Sequence, residues 1–310
     1  MFFYEPFSLA VWAMIVGFVI IMLLMNEITR RYKWCAVAIF IVLPIVLTIF
    51  VWPRTAVGAG TDHWFAWVKV YSALAGVVGF MAIRYFKKLD GSKFMYIFPP
   101  LILAINILQA VFRDIEIFMN FNGMTVVENN LTISGGPWNL INAIAGILCI
   151  ITITGGMGIQ IAKTKSRDMV WPDMLWMYIV AYTLWNFAYV YNALADRSLY
   201  AGMLILISAA VASIWSKGAW LQHRAHTLSL FAMFNLAVPA FAESSIFAVT
   251  VNVSTTPNYV MSILSIVSNV ALAVYMLVCM IRRSIKNPYT NDVFSHLQSH
   301  KNVLTNNNLG

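Results

Sequence analysis

Lys69 and Glu243 are each the lone ionisable residue of an apolar stretch, VKVYSALAG and PAFAESSIF. A charge at the centre of a membrane helix costs roughly 2.5–3.5 kcal/mol on insertion scales, so each needs a partner, a ligand or water. Their opposite signs and similar depth predict that they pair, directly or through one ligand or water. Arg113 follows Asn106 and Gln109 on one helical face, with Glu116 a turn beyond. Asn139 and Asn142 share a face with Gly146. The densest concentration lies in residues 171–196, WPDMLWMYIVAYTLWNFAYVYNALAD. There Tyr178, Tyr182, Trp185, Asn186, Tyr189, Asn192 and Asp196 recur at steps of three, four and seven, which makes one helical stripe. Tyr191 falls opposite that stripe and is predicted to point away from the interior.

Amides, phenols and charges inside a bilayer must face protein, water or a ligand. One reading is structural: the amides hold helices together and the charges cancel. The other is a water-accessible cavity, open to the outside. Lys69 and Arg113 would attract an anionic group, Glu243 would pair with them or carry a proton, and the aromatic rings would enclose an organic body. Packing alone does not require these groups to gather at one depth, which favours the cavity. The predicted ligand-binding set is Lys69, Asn106, Gln109, Arg113, Asn139, Asn142, Tyr182, Trp185, Asn186, Tyr189, Asn192 and Glu243. No residue is singled out as catalytic.

The chain that must position them has 310 residues, 61% hydrophobic and 10% charged, where a soluble domain carries about a quarter charged residues. Apolar runs near the roughly 20 residues that span a bilayer recur along it. The fold class is therefore all-α, a polytopic membrane bundle of nine spans near 7–26, 34–52, 64–84, 94–113, 138–162, 171–194, 199–216, 227–250 and 259–281. Residues 1–281 form one membrane domain, and 282–310 a polar, disordered tail. The longest polar stretches are the loop near 114–137 and that tail. The first apolar run reads as a retained span, since no charged n-region and cleavage site frame it.

Sixteen of the 20 Lys and Arg residues follow odd-numbered spans, including Arg30, Arg84, Lys165, Lys217 and Arg224. The positive-inside rule then places the N-terminus outside and the C-terminus in the cytoplasm. So distributed, the net charge of +8 fits membrane orientation and not nucleic-acid binding. Trp12, Trp34, Trp52, Trp64, Trp67, Trp138, Trp171, Trp215 and Trp220 lie near span ends and read as an interfacial belt.

Other signals are weaker. Gly155, Gly156 and Gly158 in TGGMG mark close helix packing or a break, and lack the Lys-Ser/Thr that completes a phosphate loop. His223 and His226 fall in an inner loop and His296 and His300 in the tail. Neither pair has acidic or Cys partners at metal-binding spacing, so no metal site and no cofactor are expected. The basic residues around them suit anionic headgroups. Cys35, Cys149 and Cys279 all lie in apolar segments and frame no disulfide scaffold. Asn130-Leu131-Thr132 and Asn252-Val253-Ser254 are glycosylation sequons in outer loops.

The leading function is a transporter-like or small-ligand-binding protein of the plasma or bacterial inner membrane. Its partners are the lipid bilayer and a small polar or anionic ligand from outside. One alternative is a membrane-embedded enzyme for a lipid or amphipathic substrate, with Glu243 and Lys69 or Asp196 as its acid–base pair. Another is a membrane sensor or assembly component.

Overall fold

Ser8 starts the first long helix: its hydroxyl accepts the Val11 N–H at 3.2 Å, and α1 runs Leu9–Arg31. The structure is a computed structural model and describes residues 2–128, 130–252 and 254–309. Helix α2, Lys33–Thr55, carries Pro44 in its interior. The turns on either side, Ala38–Val42 and Leu47–Val51, widen to π geometry, which accommodates a residue with no N–H to donate. Helix α3 is Trp64–Tyr85 and α4 is Lys93–Phe121. Helix α4 passes Pro99 and Pro100 without ending and continues two turns beyond Arg113. Much of the polar loop expected at 114–137 is therefore helix. After it comes an antiparallel hairpin of β1, Thr125–Glu128, and β2, Leu131–Ser134. Asn130 stands at the tip of that hairpin; the second sequon includes Val253, which lies outside the described residues.

Helix α5, Pro137–Ile151, stops well short of the expected 162, because Gly155 turns the chain with φ +62°. A second small hairpin follows, β3 Gln160–Ile161 with β4 Met169–Val170. Helices α6, Trp176–Ala193, and α7, Ala195–Trp215, form the next pair. Helix α8, Trp220–Ala237, departs furthest from the sequence expectation of a span at 227–250. It begins right after Gly218, at φ +82°, and ends before Pro239, leaving one helical turn at Ala240–Glu243. The segment read as an inner loop holding His223, Arg224 and His226 is thus buried helix. Helix α9, Thr255–Arg282, completes the bundle.

Six of these helices (α1, α2, α3, α4, α7 and α9) are long and apolar enough to cross a membrane. Helices α5, α6 and α8 are shorter or more polar. Hydrogen bonds tie the connections into two ends. At one, Arg84 Nε donates to Arg167 O at 3.1 Å and Arg30 Nη1 to Asp168 at 2.7 Å. At the other, Gly60 N donates to Glu243 Oε1 at 3.0 Å and Thr132 N to Asp196 Oδ2 at 2.6 Å. The first holds most of the Lys and Arg and is called the basic end; the second is the far end.

Helix α6 lies at the centre, packed along α9 and against α5 and α4. Gly146 permits this closeness: a Cβ there would stand 2.6 Å from Val111 Cγ2 and 2.7 Å from Trp185 Nε1. Because α6 is wrapped on all sides near its far end, Tyr191 is buried too, contrary to expectation, and its hydroxyl donates to Asn252 O at 2.7 Å, with Phe3 O also within reach at 3.1 Å. The tryptophan belt is likewise thinner than expected. Trp12, Trp34, Trp64 and Trp215 are exposed, but Trp52, Trp138, Trp171 and Trp220 are core residues.

The polar tail, expected to be disordered, folds over the basic end. Gly155 N donates to Pro288 O at 2.8 Å, and Tyr289 packs over Gly156. Asp173 accepts the Val293 and Phe294 amides at 3.0 and 2.8 Å. Helix α10, Gln298–Asn306, follows, and Val303 seats against Gly218. TGGMG is therefore a break in the chain that receives the tail, where a side chain at Gly155 or Gly158 would strike Asp292.

Candidate functional site

A cavity of about 80 Å³ opens between α3, α4, α6, α7 and α8, several times the space one water needs. The helical register explains which side chains reach it. Arg224, Leu228, Phe231 and Asn235 of α8 recur at steps of three and four, and all line it. Tyr182, Asn186 and Tyr189 of α6 do so by the same spacing, opposite Lys69 of α3 and Asn106 of α4. Gly60, Thr61 and His63 close the far end. Between Leu236 and Arg224 the lining descends twelve residues of α8, about 18 Å at 1.5 Å per residue.

The electrostatics are one-sided. Lys69, Arg197 and Arg224 all line the cavity, and among the described residues its wall holds no carboxylate. Arg197 is neutralised from behind by an ion pair with Glu243, both side chains buried. Lys69 meets no carboxylate among the described residues. Its ammonium donates to Asn106 O at 2.9 Å and more loosely to Asn106 Oδ1 at 3.4 Å. Arg224 donates through Nη2 to Asn186 Oδ1 at 3.1 Å and through Nε to the Tyr182 hydroxyl at 3.4 Å. Its guanidinium also lies over the Tyr182 ring at 5.8 Å. Its Nη1 is buried without a partner among the described residues, as are the Nη1 of Arg197 and the Tyr189 hydroxyl. Burial, with Arg113 and Arg197 nearby, lowers the His63 pKa to about 4, so that ring is neutral near pH 7 and adds no charge.

The predicted direct pairing of Lys69 with Glu243 is therefore not formed. A long span at 227–250 would carry Glu243 at membrane depth, whereas it sits in the turn after α8, where it meets Arg197 and the Gly60 amide. Asp196, the other candidate acid–base partner, is engaged by the Thr132 amide.

Of the twelve predicted site residues, the structure gathers Lys69, Asn106, Tyr182, Asn186 and Tyr189 at this cavity. Gln109 stands behind it, accepting from Ser72 at 3.2 Å. Trp185 packs against Tyr182 with ring centroids 5.4 Å apart and planes tilted by 58°, and turns its indole toward Gly146. Asn192 donates to Ser262 of α9 at 3.2 Å, on the other side of α6. Arg113 pairs with Glu116 at 2.9 Å. Asn139 and Asn142 clamp the buried carboxylate of Asp114, at 3.1 and 2.9 Å, and Ser265 donates to Asn142. Those two amides thus join α4, α5 and α9 around Asp114.

Sequence reasoning missed Arg224, Arg197, His63 and Asn235. The signal for Arg224 was the α8 stripe itself, bounded by Lys217-Gly218 and Pro239. The polar first turns of α8 have the composition of a loop. His223 and His226 turn inward toward α1, where both Nδ1 atoms meet the Asn26 amide at 3.0–3.2 Å. His300 does gain acidic neighbours: together with Asp173 and Asp292 it offers ligand atoms within 4.8 Å of one another. They come from the loop before α6 and from within the tail, so no local spacing revealed them. Asp173 already accepts from Thr154 at 2.5 Å and from two amides, as a tail anchor does.

The six apolar helices and the helical bundle they build define a membrane protein. The chain belongs to a family of unknown function, DUF5692, whose model matches residues 5–306, nearly the whole length. No curated protein and no solved structure matches it.

Proposed function

We propose that this protein binds a small organic anion in the α3–α4–α6–α8 cavity and acts in its membrane as a transporter-like carrier of that anion. The observation that carries the reading is the charge balance: Lys69 and Arg224 share a cavity whose wall, among the described residues, holds no carboxylate. Burying cations without counter-charge is costly, and an anionic ligand supplies what the fold omits. Tyr182, Tyr189 and Phe65 around them offer faces for an organic body. The descent from Gly60 to Arg224 suits entry from the far end, which the excess of Lys and Arg at the opposite end marks as the outer side of a plasma or bacterial inner membrane. Nine crossings, including the more polar α5, α6 and α8, fit the alternation of the connections between the two ends.

An enzyme reading has less support. Glu243 and Asp196, the carboxylates considered for acid–base work, are committed to Arg197 and the Thr132 amide.

The test is equilibrium binding to the purified full chain in nanodiscs, comparing butyrate with its neutral isostere butyramide. Butyrate is expected to bind at least tenfold tighter, and Lys69→Met or Arg224→Met to abolish the difference. Equal binding of the two, or binding of neither, overturns the anion reading.

A further inference from the structure

A second, smaller cavity adjoins the first. The two share Asn106, Tyr182, Arg224 and Leu228, which form a neck between them. Beyond the neck the walls turn apolar, with Gly76, Phe80, Ile102, Leu103, Leu221 and Ala225. On α4 this lining runs from Asn106 to Ile102, about one helical turn, and on α3 from Ser72 to Phe80, about two turns or ~12 Å. The cationic groups therefore stand where a charged compartment meets a short greasy one.

We propose that the bound anion is a short-chain amphiphile. Its anionic head lies between Lys69 and Arg224, and an alkyl chain of a few carbons passes the neck into the apolar cavity beside Gly76. This deepens the anion-carrier reading and rests on it. Two features of the lining support the assignment. First, Ser72 is the only hydroxyl besides Tyr182 among the described residues of this lining, and its one proton already has Lys69 O, Asn106 Oδ1 and Gln109 Oε1 as acceptors at 3.1–3.2 Å. Beyond Arg224 at the neck, the lining thus offers a polar group no free side-chain donor, and suits methylenes. Second, Gly76 keeps the space open: a Cβ placed there would meet only Ile102 Cγ1, at 3.5 Å. The missing side chain is not demanded by helix packing, as it is at Gly79, where Phe98 would be struck at 2.0 Å. At no more than ~12 Å along α3, the second cavity suits a chain of a few carbons and is shorter than the acyl chain of a membrane lipid.

The experiment measures binding of acetate, hexanoate and palmitate to the full chain in nanodiscs, for wild type, Gly76→Ala and Gly76→Leu. In wild type each methylene that enters the cavity should tighten binding about fourfold, at the usual gain for a buried CH₂. Hexanoate should then bind well over tenfold tighter than acetate, with no comparable further gain for palmitate. Gly76→Leu should remove the advantage of hexanoate while acetate still binds, and its thermal unfolding midpoint reports whether the fold is intact. Should Gly76→Leu fail to fold, Gly76→Ala, whose Cβ is accommodated, should still reduce the advantage severalfold. A hexanoate-to-acetate ratio near one in wild type, or a ratio that Gly76→Leu and Gly76→Ala leave unaltered, overturns the chain site while sparing the anion site. Palmitate binding far tighter than hexanoate overturns the short-chain assignment. Failure of every carboxylate to bind overturns both readings.

Discussion

Arg224 of α8 reaches across the bundle to Asn186 of α6, its Nη2 donating to the amide oxygen at 3.1 Å. That bond joins the residue most easily mistaken for a loop cation to the centre of the aromatic stripe. It leaves Nη1 with no partner among the described residues, inside a cavity that contains a second cation, Lys69. Arg224 is held by neutral groups, so its full charge faces whatever enters.

Replacing Arg224 with Met should weaken anion binding about 10–100-fold, the equivalent of losing a hydrogen bond to a charged group at roughly 1.5–3 kcal/mol. Arg224→Lys should recover only part, because a point-like ammonium cannot keep both the Tyr182 and Asn186 contacts and still present a free donor. Titration calorimetry with butyrate checks both. A loss of the same size for neutral butyramide would mean that the fold, and not the charge, had been damaged.

Glu243→Gln should destabilise the protein strongly. It leaves the buried Arg197 guanidinium without its counter-ion, a loss of about 3–5 kcal/mol for a broken buried pair. The double variant Arg197→Met, Glu243→Gln should be more stable than Glu243→Gln alone, since no charge is then stranded. Thermal unfolding in detergent reads the order. Additive single effects would mean that the ion pair does not couple the turn after α8 to α7.

At the basic end, Asp168 accepts from Arg30 at 2.7 Å, Ser166 at 2.6 Å and Gln222 at 2.9 Å, with Arg84 at 3.7 Å. Burial alone would raise its pKa, but Arg30, Arg84 and these hydrogen bonds together bring it below the usual aspartate value. The folded state then binds this proton less readily than the unfolded chain. The stabilisation is complete above the ordinary aspartate range near pH 4 and is lost as pH falls below it through the depressed value. Asp168→Asn should abolish that acid-sensitive component and also lower stability at pH 7, because Arg30 and Arg84 lose their carboxylate. Unfolding midpoints between pH 3 and 7 check both effects; parallel curves for wild type and variant would refute the assignment.

The tail should detach when its anchor is cut. Asp173→Ala removes the acceptor of the Val293 and Phe294 amides and of the Thr154 hydroxyl. Hydrogen exchange over residues 293–306 should accelerate by at least tenfold while exchange in α6 stays slow. Unchanged exchange would show that the Tyr289 and Val303 contacts hold the tail without the carboxylate.

How far the sequence could be read depends on the range of the interaction. Hydrophobic length and charge placement are local, so the apolar helices and the grouping of their basic connections were visible at once. The α6 stripe was legible for the same reason: Tyr182, Asn186 and Tyr189 lie on one face because of helical geometry alone. Partner choice is not local. Glu243 and Lys69 had opposite signs and similar expected depth, yet Arg197 lay nearer to the one and a carbonyl satisfied the other. Asn139 and Asn142 read as ligand groups because Asp114, on another helix, could not be placed against them. Arg224 was hidden by a composition rule: a first turn of Gln, His and Arg looks like a loop unless the helix is known to bury it.

The orientation of the bundle is the last prediction. The loops containing Lys88 and Lys165 and the tail lie together at the basic end, as Arg84–Arg167 and Lys163–Asn307 hydrogen bonds require. Gly123 and Thr255 lie together at the far end, where Asn258 donates to Ser134 at 2.7 Å. These groupings rest on contacts alone and hold whichever way the protein faces. The direction comes from the charge bias, since Lys and Arg in short connections are retained in the cytoplasm. Reporter fusions after Lys88, after Lys165 and at the C-terminus should therefore all read cytoplasmic, and fusions at Gly123 and near Thr255 external. A full inversion would reverse the proposed side of ligand entry but leave the bundle intact. A split result, with Lys88 and Lys165 on opposite sides, would contradict the packing itself. It would mean that α5, the shortest of the nine, does not cross with its neighbours.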